Sequence, residues 1–173
     1  MSDITLTKAK LRGWRHDDAE SLVRHANDRE VSRTLLDHFP YPYTDTDARE
    51  WLERAVGESP LSNFAIEVDG QAAGGIGVHP QRGNFRRSAE IGYWLGRAHW
   101  GKGIVTEAVV AIEEYAFATF DLFRLYALVF ASNPASARVL EKAGFQLEGR
   151  LRLAATKNGE TLDELLYALV REG

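Results

Sequence analysis

The stretch Gly96-Arg-Ala-His-Trp-Gly-Lys-Gly103 places three glycines and a lysine between a predicted strand over 90–95 and a predicted helix. A glycine loop in this position is typical of an anion site, because the first amides of a helix lack helical acceptors and face its positive end. Five basic residues and one acid lie between residues 80 and 102, in a chain of net charge −4. The pattern favours a phosphate ligand, and a plain connection with a solvated basic rim is the alternative.

Two nucleotide-binding motifs fit this loop only in part. Gly96-x-x-x-x-Gly101-Lys102 matches a Walker A motif until Gly103, which stands where a serine or threonine would ligate magnesium. A dinucleotide-binding motif that starts at Gly101 meets Thr106 where its third glycine belongs. A nucleotide-binding protein is therefore one hypothesis, but the less favoured one.

A second stretch, Asn133-Pro-Ala-Ser-Ala-Arg-Val-Leu-Glu-Lys-Ala-Gly-Phe145, predicts a helix that Asn133 caps and Gly144 ends. Together with the glycine loop it resembles the GNAT superfamily of acetyl-CoA-dependent N-acetyltransferases. The closer resemblance is to the RimJ/RimL branch, which includes ribosomal-protein N-terminal acetyltransferases. The motifs that carry it are Glu90-Ile-Gly-Tyr-Trp-Leu95, Trp100-Gly-Lys-Gly-Ile-Val-Thr-Glu-Ala108, Asn133-x-x-Ser136 and Glu141-Lys-Ala-Gly-Phe145.

The resemblance implies that the phosphate is the pyrophosphate of coenzyme A. It implies that the strand over 90–95 splays from the strand over 124–131 and that the pantetheine arm lies in this wedge. The backbone of the first strand and the amides of the loop would hold acetyl-CoA. The implied cofactor-binding residues are Tyr93, Trp94, Leu95, Trp100, Gly101, Lys102, Gly103, Ile104, Val105 and Thr106, with Asn133 and Ser136.

The implied reaction sets its own requirements. An amine attacks a thioester only when it is neutral, although an α-amino group has a pKa of ~8 and lysine one of ~10.4, so a base must remove a proton. The oxyanion needs a hydrogen-bond donor and the leaving thiolate needs a proton or a hydrogen bond. The chain has no cysteine to carry the acetyl group. Direct attack in a ternary complex is therefore the simpler mechanism.

The resemblance also suggests catalytic residues. Many relatives have a tyrosine that protonates the thiolate, but Leu140 stands at that position here, so Ser136 is the predicted contact of the sulfur. Ser136 has a plain alternative role at the start of its helix. A glutamate proposed as the base in this branch falls on Ala155, so Glu90 is the next candidate. His79 and Glu67 are alternatives that could act through water. The predicted acceptor-binding residues are Tyr41, Tyr43 and His79.

Periodicity predicts the elements that would position these residues. A strand over 4–14, a hairpin turning at Asp69-Gly70 and a last hairpin turning at Asn158-Gly159 alternate with helices that follow residue 17, residue 44 and the glycine loop. The expected fold class is α+β, with a GNAT-like, mainly antiparallel seven-stranded sheet, flanking helices and a splayed central strand pair.

Composition bounds the remaining possibilities. We expect one N-acetyltransferase domain over residues 1–173, cytoplasmic, with no metal, no membrane and no nucleic-acid partner, since the pI of ~5.8 argues against a general basic surface. The partner would be an amine acceptor, either a protein N-terminus or a small amine, and the chain would be a monomer or homodimer. Three hypotheses follow: an acetyltransferase, a CoA-binding module without turnover, and a nucleotide-binding protein.

Overall fold

The computed structural model describes residues 3–172, which form two compact units. The first unit contains the chain up to residue 77 and Tyr93–Ala108, and the second contains Val78–Gly92 and the chain from Val109 onward. The strands are β1 Ile4–Thr5, β2 Lys10–Arg12, β3 Asn63–Val68, β4 Gln71–Pro80, β5 Ser88–Leu95, β6 Arg124–Phe130, β7 Gln146–Lys157 and β8 Glu160–Val170. The helices are α1 Ala19–Ala26, α2 Arg29–Ser32, α3 Asp45–Ala55, α4 Ile104–Thr119 and α5 Pro134–Lys142.

The strands form one mixed sheet in the order β1-β2-β3-β4-β5-β6-β8-β7. The pair β5–β6 is parallel, while β1–β2, β2–β3, β3–β4, β6–β8 and β7–β8 are antiparallel. The α+β class and the mainly antiparallel mixed sheet are therefore confirmed. No helix within residues 3–172 is both long and apolar enough to cross a membrane.

The prediction of seven strands was wrong by one. The segment over 4–14, predicted as a single strand, is a short hairpin in which the Leu6 amide donates to the Ala9 carbonyl at 2.9 Å and β1 pairs with β2. The turn contains neither glycine nor proline, so the sequence carries no local signal for it. The roughly alternating pattern continues across the turn and conceals it.

The two predicted tight hairpins are present. Asp69 and Gly70 have φ of 50° and 78°, and Asn158 and Gly159 have φ of 51° and 80°. Both central residues of a type I′ turn need positive φ, which asparagine, aspartate and glycine tolerate best. These four residues therefore set the register of β3 with β4 and of β7 with β8.

The helix that follows the Thr44 region begins as predicted. The Thr44 amide donates to the Asp47 carboxylate at 2.7 Å and the Asp47 amide donates back to the Thr44 hydroxyl at 3.2 Å, which is a capping box. Asp18 behaves differently, because no backbone amide of α1 donates a capping hydrogen bond to its carboxylate. Its carboxylate instead accepts two hydrogen bonds from the buried guanidinium of Arg12, at 2.8 and 2.7 Å.

Arg12 is the centre of a buried ionic network in the first unit. It is 3% exposed and also pairs with Glu67, which lies 3.1 Å from Lys10. Burial alone would raise the pKa of Glu67, but hydrogen bonds from Arg12 and Lys10 outweigh it and hold that pKa below its usual value. This network joins β2 to β3 and to the residue before α1. Removal of one partner would leave an uncompensated buried charge, which would destabilise the fold.

A second buried charge, Glu113 on α4, is less well compensated. Its side chain lies 3.7 Å from Arg171 and is 10% exposed, and its Oε2 has no hydrogen-bond partner among residues 3–172. Burial raises the pKa of Glu113 to about 7, against the opposing effect of Arg171. Arg171 instead donates to Glu114, whose side chain is 66% exposed.

We expect Glu113 to make stability fall as pH rises. Since its folded-state pKa exceeds the unfolded value, its contribution is fully present below about pH 4.5 and is lost as pH rises through about 7. Glu113→Gln should remove this dependence, so that wild type loses ~1–3 kcal/mol more than the variant between pH 5 and 8. Chemical denaturation across that range measures it.

Glu114→Gln is the matched control, because hydrogen bonds from Arg171 lower the pKa of Glu114. Its curve should keep the wild-type fall between pH 5 and 8. Parallel curves for wild type and Glu113→Gln would contradict the assignment.

Candidate functional site

The glycine loop in the first unit has the backbone that an anion site needs. Gly101 and Gly103 have φ of 71° and 79°, and a Cβ built at either position would meet no atom within 4 Å. Side chains other than glycine are strained at such φ values. The space before both residues is open, so a ligand atom can approach the backbone there.

Three side-chain contacts fix the shape of this loop. The Trp100 indole donates to the Leu95 carbonyl at 2.7 Å, and Lys102 Nζ donates to the Ala98 carbonyl at 3.0 Å. Arg97 forms an ion pair with Asp28 at 2.9 Å. The loop is therefore bound to the end of β5 and to the residue that precedes α2 without any ligand.

The amides of the loop are not equivalent. The Trp100 amide already donates to the Arg97 carbonyl at 3.2 Å, and its contact with the cofactor stays a prediction. The first amides of α4, from Ile104 to Thr106, have no helical acceptor because of their position. These amides and the open glycines make the start of α4 suited to a bound phosphate. Trp100 also contributes through its indole.

Aromatic side chains surround Trp94 in the first unit. The ring of Phe39 lies 5.3 Å from that of Trp94 and 5.1 Å from that of Tyr43. Tyr43 is 6% exposed and burial raises its pKa to about 12, whereas Tyr41 is 53% exposed. Packing accounts for the buried position of Tyr43, whereas Tyr41 is exposed. Contact with the acceptor stays a prediction for both tyrosines.

In the second unit the ladder between β5 and β6 is short. The register joins Ser88–Glu90 to Arg124–Tyr126, although β5 continues to Leu95 and β6 to Phe130. Two parallel strands that stop pairing partway along their length form the splayed pair that the sequence predicts. Glu90 and Tyr126 are the last pair of this ladder.

A cluster of three titratable groups lies at the end of the ladder. Burial and a hydrogen bond to Glu90 raise the pKa of Tyr126, and burial and the negative charge of Glu90 raise that of Glu164. Tyr126 and Glu164 were not predicted as site residues. The alternation along β6 places Tyr126 on the same face as Arg124 and Leu128. Glu164 pairs with Phe130, four residues farther along β6, and its link to this group is the interaction of its charge with that of Glu90.

The other predicted catalytic residue, Ser136, lies in the first turn of α5. The Ser136 amide donates to Asn133 Oδ1 at 3.3 Å, which confirms the predicted cap, and Pro134 is the first residue of the helix. The cap bond at Asn133 comes from the backbone amide of Ser136. A catalytic role for that hydroxyl remains compatible with the helix start.

His79 lies at the exposed end of β4, and its carbonyl accepts from Gln81 at 3.1 Å. Within residues 3–172 no group of three or more histidine, cysteine, aspartate or glutamate side chains could hold a metal ion.

A model of the GNAT acetyltransferase domain matches residues 8–146 of the chain. The chain belongs to the GNAT acetyltransferase family. It is therefore an acetyl-CoA-dependent N-acetyltransferase, and the expectation from its motifs is confirmed. This decides against the nucleotide-binding hypothesis and favours turnover over a purely ligand-binding module.

Named relatives agree with this assignment. The N-acetyltransferase YoaA of Bacillus subtilis is 41% identical over 93% of this chain and 92% of its own. YdaF of the same organism, named as a ribosomal N-acetyltransferase, is 36% identical over 75% of this chain and 69% of its own. RimL, a ribosomal L7/L12 α-N-protein acetyltransferase solved with coenzyme A, has the same fold, with a TM-score of 0.84, 22% identity and 98% of both chains covered.

Two departures of this GNAT acetyltransferase from its family have clear structural settings. Leu140, which by its motif spacing was expected where many relatives have a tyrosine, is fully buried in α5 and belongs to the core. Ala155, at the glutamate position, lies on β7 beside a register shift between Leu151 and Ala155. Neither setting supplies an acid or a base, which directs attention to Glu90, Tyr126 and Glu164.

We expect Gly103→Val to weaken acetyl-CoA binding by at least ~10-fold while the fold survives. Valine is strained at φ 79° and would place a side chain in the open space before the amides. Isothermal titration with acetyl-CoA measures the affinity, and circular dichroism checks the fold. Gly159→Val, at φ 80° in the β7–β8 turn of the other unit, is the control for strain alone and should leave the affinity unchanged. Wild-type affinity in a folded Gly103→Val protein would show that the loop does not hold the cofactor.

Proposed function

We propose that this enzyme transfers the acetyl group of acetyl-CoA to the α-amino group of a polypeptide, by direct attack in a ternary complex. The observation that carries the donor half is the pair of open, positive-φ glycines before the first amides of α4. The pyrophosphate would bind Gly101 to Thr106, and the pantetheine arm would follow Tyr93, Trp94 and Leu95. Asn133 and Ser136, at the start of α5, would lie toward the thioester.

The acceptor half rests on the carboxylate cluster. Glu90 would take the proton of the attacking amine, and Tyr126, which bonds to Glu90, would hold that carboxylate in place. Glu164 lies close enough to Glu90 for their charges to interact, and burial and the charge of Glu90 raise the pKa of Glu164. A positively charged amine is attracted to this pair before it loses its proton.

Two relatives point to different acceptors. YdaF, by its name, acts on a ribosomal protein. A relative from Escherichia coli that is 26% identical over 87% of this chain is named spermidine N1-acetyltransferase. The carboxylate cluster favours a cationic amine of either kind, so a small polyamine is the second candidate.

The experiment that tests the proposal is a thiol-release assay over a panel of acceptors. We expect release of coenzyme A with peptides that carry a free N-terminus, and none with the same peptides after N-terminal acetylation. A panel in which only spermidine and other small amines react would establish the second candidate instead. Release with neither class would overturn both acceptors.

Ser136→Ala should lower kcat by ~10- to 1000-fold with little change in acetyl-CoA affinity. The hydroxyl matters mainly when negative charge builds on sulfur, and the loss of such an interaction lowers kcat rather than binding. The helix cap survives because alanine keeps the backbone amide that donates a hydrogen bond to Asn133 Oδ1. Asn133→Ala is the comparison, and its loss of the cap should cost ~1 kcal/mol of stability. A destabilised but fully active Ser136→Ala enzyme would contradict the proposed catalytic role of Ser136.

Glu90→Gln should lower kcat/KM by ~100- to 10,000-fold near pH 7, with a smaller loss above pH 9. A base is needed only while the amine is protonated, and an α-amine with a pKa of ~8 is mostly neutral at pH 9. Rates of the variant and the wild type across pH 6.5–9.5 measure this. A defect of equal size at every pH would mean that Glu90 does not act as the base.

A further inference from the structure

A connection at the start of β5 carries charge that the acetyl transfer itself does not use. Residues 81–87, called the arginine loop below, join β4 to β5 and are closed by the Gln81 amide, which donates to the Ser88 carbonyl at 2.9 Å. The loop contains three arginines and no acid, in a chain of net charge −4. Phe85, within its 3-10 turn, is 71% exposed.

The three arginines have different partners. Arg87 pairs with Asp121 at 2.5 Å, and its guanidinium lies 3.4 Å from the centre of the Phe123 ring, so it serves the fold. Arg82 and Arg86 are exposed, and neither forms an ion pair with a carboxylate of residues 3–172. Arg86 makes only a long bond, 3.4 Å, to the Gly83 carbonyl. Two guanidiniums beside an exposed phenylalanine are therefore available to a partner.

The arginine loop lies close to the proposed acceptor site along one strand. Glu90 follows Ser88 by two residues, which is ~7 Å at the rise of a β-strand. β5 begins at the arginine loop, so an acceptor that reaches Glu90 from this end of the strand passes the arginine loop. An extended acceptor with its amine at Glu90 would place its third to sixth residues, ~7–17 Å away, near Arg82 and Arg86.

We propose that the arginine loop selects acceptor polypeptides with acidic side chains in roughly their third to sixth positions, an inference that rests on the proposed function. The charges of the second unit match such a chain: carboxylates at Glu90 and Glu164 for its amine, and guanidiniums at Arg82 and Arg86 for the acids that follow. A polyamine matches only the carboxylates and is repelled by the arginines. Phe85 offers apolar contact to the intervening side chains.

A nucleic acid fits this surface less well. An exposed aromatic ring between arginines can stack on a base. The phosphates of the same strand would then pass the carboxylates of Glu90 and Glu164, which repel them, in a protein that is acidic overall. An acidic peptide that begins with a cationic amine avoids this conflict.

The test uses three peptides that share a free N-terminal residue and differ only in positions 3–6, which are glutamate, glutamine or lysine. With the wild-type enzyme, kcat/KM from thiol release should be at least ~10-fold higher for the glutamate peptide than for the lysine peptide, mainly through KM. The ratio should shrink as sodium chloride increases, because exposed charges are screened. Arg82→Glu and Arg86→Glu should each lower the ratio by ~3- to 10-fold, and together invert it, without a change in the KM for acetyl-CoA.

Arg152→Glu is the matched control. Arg152 is exposed on β7, three strands or ~14 Å from β5 in the sheet, and its reversal changes the charge of the same unit equally. It should leave the ratio unchanged. An equal effect of Arg152→Glu would mean that overall charge, and not the arginine loop, sets the preference.

The outcomes separate the two proposals. Peptides acetylated at rates independent of charge would overturn the role of the arginine loop and leave the proposed function standing. No reaction with any peptide, together with reaction of spermidine, would overturn the proposed function itself. Binding of a fluorescent single-stranded RNA that Arg82→Glu and Arg86→Glu abolish, with no effect on the peptide ratio, would assign the loop to nucleic acid and overturn the peptide proposal.

Discussion

The arrangement of the central sheet depends on the parallel ladder between β5 and β6, which stops before either strand ends. Only Ser88–Glu90 pair with Arg124–Tyr126, yet both strands continue beyond that point. Backbone amides and carbonyls inside a sheet are costly to leave unsatisfied, so a gap between two central strands persists only where the surrounding elements hold it open. On the far side of β6, the ladder with β8 is continuous from Arg124 to Phe130, so β6 keeps one paired edge along its whole length.

The polar chemistry concentrates where the ladder ends. Tyr126 and Glu164 of the second unit both interact with Glu90, while the partly buried carboxylate of Glu67 in the first unit is neutralised by Arg12 and Lys10. The difference is one of partners: a carboxylate held by two cations has a lowered pKa and is a poor base. Burial and the negative charge of Glu90 instead raise the pKa of Glu164. The same residue type therefore serves the fold at one position and suits chemistry at the other.

The parts that the sequence predicts well are those set by local backbone chemistry. The Asp69-Gly70 and Asn158-Gly159 turns, the Asn133 cap and the glycine loop each depend on a few adjacent residues, and each was predicted at its observed place. The hairpin within residues 4–14 was missed because its turn uses ordinary residues. Glu164 was missed for another reason: it lies 74 positions from Glu90 in the sequence, and only the strand order β5-β6-β8 brings their charges together.

Gly96 differs from the other glycines of its loop in the reason for its presence. Its φ is −57°, which any residue can adopt, but a Cβ there would lie 2.7 Å from Nδ1 of His25 on α1. Its amide also donates to the Ala73 carbonyl at 2.8 Å. Gly96 therefore packs against α1, a helix whose own sequence has no ligand-binding motif. Grafting residues 96–104 alone onto another scaffold would transfer the motif without the packing contacts of Gly96. Such a graft would therefore have to include α1 and β4.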